Sequence, residues 1–72
     1  MEKFIKLFKE QLEDVDTNLL PTTNFTLEEF WDSLTAVTIQ MMIADEYNVN
    51  IEIKDFINFK SIQELYDFVI SQ

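Results

Sequence analysis

Apolar residues recur at helical spacing in three stretches of the chain. In the first, Phe4, Ile5, Leu7, Phe8 and Leu12 follow three- and four-residue steps, while Lys3, Lys6, Lys9, Glu10 and Glu13 fill the other face. That pattern predicts a helix over residues 2–14. Its lysines stand near the start and its acids near the end, against the helix dipole, which weakens the end without erasing the periodicity. The second stretch predicts a helix over 33–47. Leu34, Val37, Met41 and Ala44 are expected as its buried stripe, widened by Ile39, Met42, Ile43 and Tyr47. A helix apolar over so much of its surface suits the centre of a bundle. In the third, Ser61 with Glu64 matches a capping box, and Ile62, Leu65, Phe68 and Val69 form the stripe of the last helix.

The connections carry structure of their own. Val15 to Trp31 exceeds the roughly 12–15 residues usual for structureless loops. Leu19, Leu20 and Phe25 are expected to pin it to the core, and Pro21 to force a turn. Thr26 followed by Glu29 matches a capping box, which predicts a helical turn over Leu27 to Phe30. Asn48 to Ile53 reads as an extended link whose Val49, Ile51 and Ile53 plug the bundle. Asn48, Asn50 and Glu52 lack the glycine and terminal glutamate of a calcium loop. Asp55 to Phe59 predicts one short helix. The expected fold is all-α: a small antiparallel bundle of three main helices plus one short helix, with residues 1–72 as a single domain.

Composition narrows the chemistry. A core of 72 residues is marginal; at this size it supplies about 3–5 kcal/mol. Seven Phe with Trp31, Tyr47 and Tyr66 are a heavy aromatic load to build it from, and zero Gly with one Pro argues against a turn-rich β fold. There is no Cys and no His. No disulfide, thiol nucleophile or imidazole base is available, so neither a catalytic set nor a metal centre is expected. Net charge is −9, and between Glu10 and Ile53 there are ten acids and no base. Such a surface repels nucleic acid and anionic lipid, and draws basic patches on other proteins. No apolar stretch approaches the about 20 residues of a membrane span, and the opening residues are amphipathic rather than a signal peptide. The expectation is a cytoplasmic monomer.

One short motif stands where the polar loop meets the second helical pattern: Asp32-Ser33-Leu34. Asp32 is placed to cap the helix and Ser33 to begin it. Backbone N–H groups at that point lack intrahelical acceptors and sit at the positive end of the dipole, so a phosphate ester on Ser33 would be well held. On these three residues alone Ser33 is simply a cap-region residue, since such triplets are common.

The run Asp32-Ser33-Leu34-Thr35-Ala36-Val37-Thr38-Ile39, followed by Glu46-Tyr47 and Ile51, resembles the acyl carrier protein family. The resemblance spans most of the chain and extends to its length, acidity and helix order. It implies a 4′-phosphopantetheine arm on Ser33, transferred from coenzyme A by a phosphopantetheinyl transferase that supplies magnesium and the chemistry, with Asp32 and Leu34 beside the attachment. The arm would hold an acyl group as a thioester, loaded by a ligase and passed to an acyltransferase or synthase. Glu28, Glu29, Asp45 and Glu46 would offer docking charge. Phe30-Trp31 stands where many members have a small residue, and Thr35 and Thr38 where many have acids. Those departures resemble specialised carriers more than the protein of housekeeping fatty-acid and lipid synthesis. Two other readings stay open: an aminoacyl carrier of the D-alanyl or peptidyl type, and an unmodified acidic adaptor for basic proteins.

Overall fold

Three α-helices and two short 3₁₀ turns make up the computed structural model, which describes residues 1–12 and 18–72. Helix α1 runs Glu2–Leu12, α2 runs Ser33–Tyr47 and α3 runs Ile62–Ile70. The 3₁₀ turns lie at Phe25–Leu27 and Ile53–Asn58. No strand occurs among the described residues, and the all-helical expectation holds. The expected continuation of α1 to residue 14 and the start of the following loop lie outside the described residues.

Side-chain caps set the helix starts. Asp32 accepts from the Thr35 N–H and opens α2. Ser61 Oγ accepts from the Glu64 N–H and opens α3. The Glu64 carboxylate reaches back to the Lys60 N–H at 3.1 Å, closing the box one residue upstream of the cap. At its other end α2 stops at Asn48, which takes the left-handed conformation (φ 56°, ψ 39°) and donates its N–H to the Ala44 carbonyl. In a chain without glycine, asparagine is the residue best able to hold that position. In α1, Glu2 in the first turn and Lys9 in the last suit the dipole and offset part of its unfavourable charge order.

Helix α2 is the hub, packed against α1, the second 3₁₀ turn and α3. Its core face is Ala36, Ile39, Met42 and Ile43. The expected stripe is corrected here: Leu34, Val37 and Met41 are exposed on α2, and Ala44 is only half-buried. The reason is that α2 carries two apolar stripes. At 100° per residue the mean directions of Ala36-Ile39-Ile43 and Leu34-Val37-Met41 are roughly 160° apart. The first meets the bundle and the second meets solvent.

The described part of the long connection, residues 18–31, is held in place by satisfying another helix. The Thr23 and Pro21 carbonyls accept from the Ile62 and Gln63 N–H groups at 3.0 and 2.9 Å, so the loop supplies acceptors that the start of α3 lacks. Pro21 sits in a turn closed by the Thr23 N–H on the Leu20 carbonyl. Leu19 and Phe25 are buried as expected, whereas Leu20 faces solvent. The Thr26–Glu29 box does not form. Thr26 donates to the Asn24 side chain instead, and the 3₁₀ turn begins at Phe25, two residues early. Val49 and Ile51 plug the bundle, with the Ile51 carbonyl held by the Gln40 side chain at 2.8 Å. Ile53 does not plug: it starts the second 3₁₀ turn, two residues ahead of the expected short helix, and is exposed.

Aromatic rings fill the interior. Phe4 packs on Phe8, Tyr47 and Tyr66, joining α1 to α2 and α3. Phe25 packs edge-on against Phe8, Trp31 and Phe56. Lys54 with Glu52 is the one ion pair among the described residues, and both are solvent-exposed. The fold is held by apolar packing and helix ends rather than by charge.

Candidate functional site

Ser33 is the first residue of α2, and its position follows from what precedes it. The Trp31 ring is wedged against Phe25 and Phe56 at centroid distances of 5.0 and 5.4 Å. That fixes the chain just before the cap. The Trp31 N–H donates to the Glu28 carbonyl, and the Thr35 hydroxyl donates to the Phe30 carbonyl at 2.9 Å. Loop and helix start are therefore tied together on both sides of Ser33. The Asp32 carbonyl takes the Ala36 N–H at 2.9 Å, beginning the helical ladder.

Asp32, Ser33 and Leu34 are all exposed. The Asp32 carboxylate accepts from the Thr35 N–H at 2.8 Å, and that bond holds its carboxyl below the ordinary value for an aspartate. Since the folded-state value is depressed, the cap's stabilisation is complete above the unfolded carboxylate value. It is lost as pH falls through the lower folded one. In an acid titration followed by NMR, the Thr35 amide resonance should move with a midpoint below about 3.9. A midpoint at or above that value would show that the carboxylate does not cap the helix in solution.

The other residues expected at the site are not all brought to it. Glu28 and Glu29 are exposed on the approach to Trp31. Asp45 and Glu46 are exposed in the last turn of α2, about 18–20 Å along the helix from Ser33 at 1.5 Å per residue. They can meet a partner that covers the whole helix, but not the attachment atom. The structure adds what periodicity misassigned: Leu34, 75% exposed, Val37 and Met41, 59% exposed, line one face of α2 beginning beside Ser33. Their spacing is as good for a partner face as for a core face. The signal that separates the two is the second apolar stripe, since a helix this size can bury only one in a small bundle.

A cleft of about 370 Å³ opens beside Leu34, between Glu10, Gln11 and Leu12 of α1 and Phe30, Leu34, Thr35 and Thr38. The site fits a phosphorylated arm. Ser33 is exposed at the positive end of α2, where the first N–H groups lack intrahelical acceptors, and Leu34 offers apolar surface alongside. No helix among the described residues is long and apolar enough to cross a membrane.

A search of curated proteins finds no significant match, and neither does a search of solved structures. The model of the phosphopantetheine attachment site family, however, matches residues 2–69. Matched over nearly its whole length, the chain belongs to that family and is a carrier protein whose cofactor, 4′-phosphopantetheine, is covalently attached.

Proposed function

We propose that Ser33 Oγ bears the arm, and that the protein carries an acyl group, aminoacyl groups included, for a specialised biosynthetic route. The observation that carries the assignment is an exposed serine at the first position of the central helix, directly after an aspartate cap. In the attachment step Ser33 Oγ attacks the pyrophosphate of coenzyme A at the phosphorus nearer pantetheine. A new O–P bond forms, the adenosine bisphosphate leaves, and the hydroxyl proton passes to a base of the transferase. Asp32 holds the helix start in place during this step, and its carboxylate would help orient the magnesium that the transferase brings. The thiol of the arm, once attached, supplies the thioester linkage. The chain itself performs no catalysis; as a carrier it serves enzymes that modify it and handle its acyl group.

The proposed partners are a phosphopantetheinyl transferase, a loading ligase and a downstream acyltransferase or synthase. Their contact is best supported on the solvent face of α2. Leu34, Val37 and Met41 give apolar area next to Ser33, and Asp45 and Glu46 give charge at the far end. The two should act differently. Met41→Lys is expected to lower kcat/KM for loading about tenfold, the loss expected for removing a contact worth about 1.4 kcal/mol. Reversing Asp45 and Glu46 to Lys should slow loading at low salt and matter little at high salt. A Met41→Lys protein loaded at the parent rate would remove α2's apolar face from the docking surface.

Loading itself is tested by weighing the protein after incubation with coenzyme A, magnesium and a broad-specificity transferase. The expected result is a gain of one phosphopantetheine, carried by the peptide that contains Ser33. No gain with several transferases would overturn the assignment and favour the unmodified adaptor.

A further inference from the structure

We infer that the group carried on the arm is short or polar and rides in solvent, because the bundle is closed on the side where the arm leaves; this rests on attachment at Ser33. At 100° per residue, Val37 and Gln40 lie within about 40° of Ser33 round α2. That side of the helix borders the link after Asn48 and the second 3₁₀ turn, against which α2 packs. The way from Ser33 to the interior runs between these elements.

Two contacts cross that way. Near Ser33 the Trp31 ring bridges the loop and the turn, 5.0 Å from Phe25 and 5.4 Å from Phe56. Farther along α2, the Gln40 side chain donates to the Ile51 carbonyl at 2.8 Å and ties the helix to the link. Behind them Ile39, Ile43, Phe56 and Leu65 are at most 1% exposed. Close-packed interiors of this kind resist even one added methylene. A long acyl chain would have to part the rings and take the Ile51 carbonyl from its donor. Left outside, the same chain would expose apolar surface in proportion to its length. A short acyl group, or one that bears its own hydroxyl or ammonium, meets neither penalty.

The test loads the protein from acetyl-coenzyme A and, separately, from octanoyl-coenzyme A with a broad-specificity transferase. The transfer breaks the pyrophosphate and leaves the thioester intact, so each product carries a short or a long chain, and its mass shows the loading. Hydroxylamine then measures how freely each thioester meets solvent. The expected result is that the octanoyl-to-acetyl ratio of cleavage rates on the protein equals the ratio for the free coenzyme A thioesters. Amide NMR of the two isotope-labelled products should give the same signals at Ile39, Ile43, Ile51 and Leu65. Shifts at those residues in the octanoyl protein alone overturn the inference and leave attachment standing. So does an octanoyl thioester protected several-fold from hydroxylamine relative to the acetyl one. No gain of mass from either donor overturns attachment, and the inference with it.

Discussion

Ser33→Ala is expected to fold like its parent and to gain no mass from coenzyme A, magnesium and a transferase. The Ser33 side chain is exposed and makes no hydrogen bond with another described residue, and the cap that opens α2 belongs to Asp32. An exposed substitution of this kind stays within about 0.5 kcal/mol of the parent. The change therefore removes one nucleophilic oxygen and nothing else. Other hydroxyls are differently placed. Ser61 Oγ is engaged as the cap of α3, Ser71 Oγ donates to the Phe68 carbonyl, and the Thr35 and Thr38 hydroxyls are committed to carbonyls. Asp32→Ala is the informative contrast. It should load more slowly and also melt at a lower temperature through the lost cap. A Ser33→Ala protein that still gains the arm would show that another residue carries it.

The helix that bears the site was legible to the residue, and its faces were not. Asp32 before Ser33 and Asn48 after Tyr47 are terminal chemistry that acts locally, so they can be read without knowing what the helix packs against. Ser61 and Glu64 are legible for the same reason. Which stripe of α2 meets the core is a tertiary question. Ala36-Ile39-Ile43 and Leu34-Val37-Met41 share the same spacing, and the larger side chains of the second made it look like the core. The outcome depends on what the rest of the chain packs there: Ala36, Ile39 and Ile43 share the buried core with Phe4, Phe8, Phe25 and Phe56. The short turns were misplaced for a related reason. Thr26 had a closer partner in Asn24 than in the backbone of Glu29, and a three-residue turn leaves little periodicity to detect.

The same distinction governs the site. Ser33 and its cap are contiguous in sequence, so their chemistry could be read there. The cleft beside Leu34 is not. It joins Gln11 and Leu12 to residues eighteen or more positions away, and only the packing of α1 on α2 makes it. Asp45 and Glu46, expected as docking charge, lie in the last turn of α2 rather than at the attachment point, which separates steering from chemistry by the length of the helix.

Phe25→Ala is expected to unfold the domain at room temperature. Phe25 is 0% exposed and stands edge-on to Phe8, Trp31 and Phe56 at 5.7, 5.0 and 6.3 Å, so it joins α1, the loop and the second 3₁₀ turn at one point. Truncating a buried Phe costs about 3–5 kcal/mol. A core of this size supplies about 3–5 kcal/mol in all. Loss and reserve are equal, and a chain without cysteine has no disulfide behind them. The site should fail with the fold, because the Trp31 wedge that sets the approach to Ser33 rests on the Phe25 ring. Phe25→Leu keeps part of the volume and should remain folded with a lower Tm. Far-ultraviolet circular dichroism on heating, together with Trp31 emission, measures both: the alanine variant should lose the cooperative transition and shift its emission to the red as water reaches the indole. If Phe25→Ala instead melts near the parent temperature with Trp31 emission unchanged, the aromatic cluster does not hold the loop, and the position of Ser33 must depend on the helix cap alone.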